Sequence, residues 1–509
     1  MTEVISVTEG QYRNQVVQYD PSTILELCHR LSLKLLGEKK NIIGGTWPYG
    51  RGGVFHITQH KIALLAMITL QNHKYAYGKK PSDKEFIALV NNVSTIDNRS
   101  DKTTPSDPEE AKFNIFVPLA YQQFPLQEGS YNVIPRHLLI YLYSKVQSPA
   151  LNIDSEAYQN FGLHIQEYLA IGMAFYGASL AHSIFDRSFI DNTPIESIKR
   201  YLTPEKIEKF LARTSADFDT FRKMCMQEIH DYPNGGTYRF NTLFDRPIII
   251  RKDEMFCIPV PMLVPYVITK GLYYDFLDLF SGETGNRFAD WFGHAFEYYG
   301  GLLLKKMLGK QSVFPEPLYG KEQKGGPDWT VIQGDSAIVF EFRSGRLNKK
   351  AKILGNYTEI SALVKRNIIE PLTKLPGKIE DIQSGLTDIP SNSDMEFFSC
   401  IVTYEPLYPN QLFREMCNHE MKKGDIPEYD FELMSIEDLE WLLSWSSYES
   451  PVDFLRTKRT NPEWKYMEVR QLIEIKMKAK GIKGLRNVML DNVSNKFWQQ
   501  LIPELSQES

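Results

Sequence analysis

Asp328, Glu341 and Arg343 are the residues whose types and spacing most plainly allow chemistry. They lie in Gly325-Gly326-Pro327-Asp328-Trp329-Thr330-Val331-Ile332-Gln333-Gly334-Asp335-Ser336-Ala337-Ile338-Val339-Phe340-Glu341-Phe342-Arg343. Trp329 to Gln333 and Ala337 to Arg343 are rich in β-branched and aromatic residues, and Gly334-Asp335 is a two-residue turn signal. A hairpin closed at that turn sets Asp328 directly opposite Glu341. Side chains alternate along a strand, so Ile338, Phe340 and Phe342 should face a core while Val339, Glu341 and Arg343 share the other face. Two carboxylates and a cation are then expected together at one sheet edge. A hard divalent ion suits such a group: Mg²⁺ takes oxygen ligands, often one or two protein carboxylates, and completes its shell with water and substrate phosphate. The ion would activate water and stabilise charge on phosphorus. The carbonyl of Phe342 is a further candidate ligand. Arg343 could stabilise transition-state charge but, staying protonated, is a poor general base. The same three residues also fit a surface hairpin that carries only a cross-strand ion pair.

The elements that must position this group belong to an α/β segment. Apolar spacing predicts a helix over Arg287 to Leu308, a short strand within Ser312 to Leu318, the two hairpin strands, and a helix from about Tyr357 to Leu372. A strand at Glu396 to Tyr404, a helix at about Asn410 to His419, and a strand at Tyr429 to Met434 follow. Another helix opens at Ser435, where Ser435-Ile436-Glu437-Asp438 has capping-box spacing. Ahead of it, residues 1–245 read as a mainly helical module, with helices at Ser22 to Leu36, Val54 to His73, Ser82 to Asn91, Ala157 to Phe185 and Pro204 to His230. The polar run Asp97 to Lys112 reads as a mobile loop. Residues 246–280 read as a β-hairpin and connecting segment, 281–445 as the α/β domain, and 446–509 as a basic helical tail.

Pro327-Asp328 and then Glu341-Phe342-Arg343, carried on elements in that order, resemble the PD-(D/E)xK phosphodiesterase superfamily of restriction-type and repair nucleases. The resemblance covers about residues 281–445 and implies a restriction-endonuclease-like mixed sheet flanked by helices. It implies that Asp328 and Glu341 bind Mg²⁺ or Mn²⁺. It also implies that Glu297, in Phe292-Gly293-His294-Ala295-Phe296-Glu297-Tyr298, is the helix glutamate that joins the metal shell. Glu297 reads equally as a solvated residue on a stripe with Asp290 and His294. The third motif member is usually a lysine that orients or activates water. Arg343 stands there in this sequence, and Lys349 or Lys350 are the nearby lysines that could serve instead. The implied activity is hydrolysis of nucleic acid, with DNA the expected substrate. The alternative is a nuclease-like fold without hydrolysis, acting as a nucleic-acid-binding or assembly module. A looser similarity to bacterial restriction-like and phage-defence proteins suggests that the helical half recognises a partner protein or a phage-derived trigger.

The 509 residues are 42% hydrophobic and 24% charged, which excludes a disordered, collagenous or coiled-coil chain. The 58 Lys/Arg against 63 Asp/Glu give no whole-chain positive field. Residues 343–378, however, hold nine Lys/Arg against two Asp/Glu, residues 379–454 three against seventeen, and residues 455–490 ten against three. Basic stretches beside the motif and in the tail could therefore follow a phosphate backbone, with Arg346, Lys349, Lys350, Lys352, Lys365 and Arg366 the candidate contacts. Five scattered cysteines without a C-x-x-C pair show neither a zinc site nor a disulfide framework, which fits a cytoplasmic location. No signal peptide or membrane span is legible, and self-association into a homo-oligomer is left open. The glycine-rich segment Gly44 to Gly53 lacks the Lys-Ser/Thr of a phosphate-binding loop, and His56 with His60 lacks an acidic partner.

Overall fold

A computed structural model describes residues 7–37, 43–45, 55–72, 78–93, 96, 107–126, 133–146, 151–191, 196–282, 285–427 and 429–501. Their contacts divide the chain into two compact units, the first from Met1–Ile134, Asn152–Leu279 and Phe497–Ser509, the second from Pro135–Leu151 and Phe280–Lys496. The architecture is mixed α/β, with sheets of four and five strands. None of the described helices is long and apolar enough to cross a membrane.

The first unit is mainly helical, as its apolar spacing predicts, but three of the long predicted helices are interrupted. Ala157 to Phe185 is occupied by Ile153–Phe161 and Ile165–Ala181, because Gly162 adopts a φ of 69° and ends the first helix, and a short strand Ile184–Phe185 follows. Pro204 to His230 is broken by the extended Ser215–Asp217, and Asp217 then caps the next helix by accepting the Thr220 N–H at 2.7 Å. Val54 to His73 holds a strand, Phe55–Ile57, before the helix Gln59–Asn72. His56 and His60 therefore do not share a helical face, and burial pushes the imidazole pKa of His60 down to about 4. The predicted loop Asp97 to Lys112 already contains the start of a helix at Pro108, whose missing N–H costs nothing in the first turn. Residues 97–106, and most of the glycine-rich segment, lie outside the described residues.

The hairpin predicted for 246–280 pairs Ile249 with Cys257 and Ile250 with Phe256. Ile248–Ile250 also pairs in parallel with Ser215–Asp217, and Phe256–Cys257 with Ile184–Phe185, so the hairpin forms the middle of the first unit's sheet. Ile248 and Ile249 are fully buried, which three consecutive isoleucines favour over a strand with one wet face.

The second unit carries the hairpin of interest. Its elements are α1 (Arg287–Leu308), β1 (Val313–Pro315), β2 (Leu318–Tyr319), β3 (Lys324–Gly325), β4 (Trp329–Gln333), β5 (Ser336–Arg343), α2 (Lys349–Leu354), α3 (Tyr357–Val364), α4 (Glu370–Gln383), β6 (Glu396–Thr403), α5 (Asn410–Lys423), β7 (Glu432–Ser435), α6 (Ile436–Trp445), α7 (Pro451–Thr460) and α8 (Val469–Lys480). The five-stranded sheet has the order β7-β6-β5-β4-β1, with β5, β6 and β7 parallel and β4 antiparallel to both its neighbours. The capping box at Ser435 forms as expected: its Oγ accepts the Asp438 N–H at 3.1 Å, and Asp438 Oδ2 accepts the Ser435 N–H at 2.9 Å. α3 does not stop near Leu372. It continues through a π-helical turn, Lys365–Ile369, into α4, which runs past Pro376. The basic tail folds onto the acidic stretch that precedes it. Arg456 and Arg459 pair with Glu396, Lys458 with Glu432, and Lys476 with Glu449.

β5 lies at the centre of this sheet, not at its edge, and Val339 and Glu341 are as buried as Ile338 and Phe340. α1 covers one face through Gly300 and Gly301. A Cβ at Gly300 would fall 2.2 Å from the Phe342 ring, and one at Gly301 1.9 Å from the Trp329 indole, so the helix can approach this closely only as glycine. Gly301→Ala should therefore lose about 1–3 kcal/mol of stability to overpacking, although alanine is the better helix former. Denaturant unfolding tests this, and a variant as stable as the wild type would contradict it.

Candidate functional site

The register expected from the turn is present: Trp329 faces Phe340 and Gln333 faces Ser336, around a Gly334 with a φ of 61°. Asp328 stands one residue before β4, on the line that continues to Glu341. Its Oδ2 accepts the Phe342 N–H at 2.7 Å, so the carboxylate supplies an acceptor where the β4 ladder has ended. Phe342 turns toward α1 and Glu341, one residue earlier, toward α4.

Two cations meet these acids. Arg343 Nη1 donates to Asp328 Oδ2 at 3.3 Å and to the Phe342 carbonyl at 2.8 Å, while its Nη2 donates to Glu341 Oε2. Lys378, on α4, donates to the other oxygen of Glu341, Oε1, at 2.6 Å. Glu341 is 0% exposed, so the surface ion pair that the sequence also allowed is not what forms.

Further carboxylates lie within electrostatic reach. Burial is the largest influence raising the Asp328 carboxyl, the negative charge of Glu341 adds to it, and Arg343 only partly opposes them, leaving a pKa of about 7. Glu297, on α1, is raised by burial and by Glu316. Glu316, just after β1, is raised by burial and by Glu341, against the opposing pull of Lys378. Its Oε1 lies 2.3 Å from where a Cβ of Gly325 would be, so the glycine before Pro327-Asp328 leaves room for that side chain. Trp329 Nε1 donates to the Glu297 carbonyl at 3.1 Å, tying the helix to the start of β4. The structure thus gathers Asp328, Glu341, Arg343 and Glu297 at one end of the hairpin and adds Glu316 and Lys378.

Those two were not visible in the sequence. The helix expected to end near Leu372 runs on to Gln383 and carries Lys378, 37 positions from Glu341. Glu316 has only the indirect signal of paired glycines at 325 and 326. Lys349 and Lys350 do not appear in the hydrogen-bonding group around Glu341, and Lys350 faces Glu359 at 3.6 Å. Among the candidate phosphate contacts, Arg346 is turned inward: its side chain is 3% exposed, 3.4 Å from Glu405, with the guanidinium 4.2 Å from the Tyr404 ring centre. It is a packing cation and not the surface contact the charge run suggested. Lys352 pairs with Glu405 and Lys365 with Glu420, and Lys349, Lys365 and Arg366 are all exposed.

The donor set is chemically suited to Mg²⁺ or Mn²⁺: the acids offer only oxygen, and the carboxyls of Asp328, Glu297 and Glu316 are raised by burial first and by neighbouring carboxylates after it. Among the described residues no group of three or more His, Cys, Asp and Glu side chains is already arranged to hold a metal ion. No protein-family model matches the chain, and no curated protein matches it.

Asp328 also gives the metal-free protein a pH dependence. Its folded pKa lies above the ordinary unfolded value of about 3.9, so the stability it contributes is present below that pH and is lost as the pH rises through about 7. Asparagine keeps an acceptor for the Phe342 N–H and cannot ionise. Metal-free Asp328→Asn should therefore melt higher than the wild type at pH 8, with the gap closing toward pH 5, and each unit of pKa shift is worth about 1.4 kcal/mol. Melting curves across that range check this, and a pH-independent difference would contradict it.

Proposed function

We propose that the chain is a metal-dependent nuclease of the PD-(D/E)xK kind, hydrolysing phosphodiester bonds with DNA as the first substrate to test. The observation that carries this reading is the meeting of Asp328 and Glu341 at one end of an antiparallel hairpin, with Glu297 on the helix behind it and an ammonium on Glu341. The order α1, β1, β4, β5, helix, β6, α5, β7 supports a restriction-endonuclease-like core.

Asp328 and Glu341 would hold the ion, with Glu297 and Glu316 adding negative charge beside it. When bound, the ion supplies activation of water and neutralisation of charge on the phosphate. Lys378 takes the place of the lysine that Arg343 displaces from the motif. A compact ammonium held 2.6 Å from the carboxylate can orient a water, and it gives up a proton more readily than a guanidinium, which stays charged. Exposed Lys349 and Arg366 would contact the nucleic-acid backbone. A cytoplasmic role in bacterial antiphage defence, with the first unit recognising a trigger or partner, completes the proposal.

A second reading, a nuclease-like binding or assembly module, is favoured by one feature: both oxygens of Glu341 are already taken by Arg343 and Lys378. Plasmid, single-stranded DNA and RNA, each with Mg²⁺ or Mn²⁺, separate the two. The nuclease reading expects cleavage by the wild type and none by Asp328→Ala. Salt-sensitive binding without cleavage would favour the module.

A further inference from the structure

Arg343 makes one arrangement that its place in the motif does not require. Its single guanidinium serves three oxygens: Asp328 Oδ2 at 3.3 Å, the Phe342 carbonyl at 2.8 Å, and Glu341 Oε2. Two come from the carboxylates that would be metal ligands, and the third is the carbonyl of Phe342, the residue after Glu341. Three hard oxygens around one cation are the donors a divalent ion would take. Lys378, by contrast, touches only Glu341 Oε1.

We propose that the Arg343 guanidinium is a built-in competitor of the metal, neutralising part of the site's charge until a divalent cation displaces it. The inference rests on the nuclease reading of this site. Without a resident cation, Glu341 would be a fully buried anion opposed only by Lys378, a costly state for the metal-free protein. With Arg343 in place the acids are tolerated, but a divalent ion that uses both carboxylates must first break the guanidinium contacts. Arg343 is the cation able to leave: its side chain is 28% exposed, against 16% for Lys378, so its long stem has a route to solvent. Lys378 stays on its oxygen while the exchange occurs on the opposite one. The displaced guanidinium remains beside the site, where it can meet a substrate phosphate.

The test is metal affinity, measured on the purified 509-residue chain without nucleic acid. Mn²⁺ is titrated calorimetrically, and by the loss of its free electron-spin signal, into the wild type, Arg343→Gln, Arg343→Lys and Glu341→Gln. Arg343→Gln should bind Mn²⁺ at least tenfold more tightly than the wild type. Arg343→Lys, whose ammonium cannot span the three oxygens, should fall between them. It also keeps the positive charge, so it reports even where the glutamine variant folds poorly. Equal or weaker Mn²⁺ binding in both arginine variants, together with binding that Glu341→Gln removes, would overturn the competitor role while leaving the metal site standing. If none of the proteins shows Mn²⁺ binding that depends on Glu341, both the competitor and the metal-dependent reading fail.

Discussion

Glu341→Gln is expected, on the proposed nuclease reading, to abolish cleavage, with a loss on the order of 10³-fold or more, while the protein stays folded. The side chain is fully buried and each of its oxygens faces a cation, Arg343 on one side and Lys378 on the other. Glutamine preserves length and shape but removes the charge that would bind the ion and hold the ammonium. Lys378→Met should cost about 10²-fold if that ammonium orients water, and Lys378→Arg should restore little, because a guanidinium is larger and keeps its protons. Plasmid nicking at saturating Mg²⁺, read beside melting curves, measures both. A Glu341→Gln protein that keeps a tenth of the wild-type rate would remove Glu341 from the chemistry. Loss in Glu341→Gln with full activity in Lys378→Met would restrict Lys378 to balancing charge.

The contrast between Glu341 and Lys378 also shows what the chain makes legible before folding. Hairpin register is a local property: a two-residue turn fixes which residues face each other, so the pairing of Trp329 with Phe340 and the meeting of Asp328 with Glu341 can be read along nineteen residues. The capping box at Ser435 is local too. Lys378 depends on something longer, the path of the crossover between β5 and β6, and on a helix that continues through a π-helical turn and past Pro371 and Pro376. Burial misled in the same manner. Alternation predicts one wet face for β5, but the crossover helix covers that face, which turns a plausible surface ion pair into a buried cluster. The charge runs show the limit most clearly. A stretch with ten Lys/Arg reads as a phosphate-binding tail, yet Arg456, Lys458, Arg459 and Lys476 find carboxylates in the acidic stretch before them. Opposite charge blocks adjacent in sequence are partners by default, since the fold brings them together before any ligand arrives.

The largest expected effect on stability lies away from the hairpin, at Arg136. This residue is 2% exposed, and its Nε and Nη2 donate to the two oxygens of Glu440 at 2.6 and 2.7 Å, while Nη1 donates to Glu437 at 3.0 Å. Tyr299, on α1, donates its hydroxyl to the same Glu440 at 2.6 Å. Glu440 lies 304 positions from Arg136, so this buried fork helps fix residues 135–151 into a unit otherwise built from residues 280–496. Arg136→Met would leave Glu440 buried with a hydroxyl but without its cation, and burial already raises that carboxyl while the arginine is present. Breaking one side of such a pair costs about 3–5 kcal/mol, whereas replacing both sides by apolar residues is often neutral. Arg136→Met should therefore lower unfolding stability by about that amount, and Arg136→Met with Glu440→Leu should recover most of it; a single variant within about 1 kcal/mol of the wild type would contradict the argument. Arg136→Lys should rescue only partly, because one ammonium cannot reproduce a two-pronged contact. The same change bears on the candidate site through α1, since Tyr299 follows Glu297 by two residues and the Glu297 carbonyl holds Trp329 at the start of β4. Arg136→Met leaves the Tyr299–Glu440 hydrogen bond in place and the double variant removes it, so an effect on Mn²⁺ binding that runs through α1 should be larger in the double variant even as stability recovers.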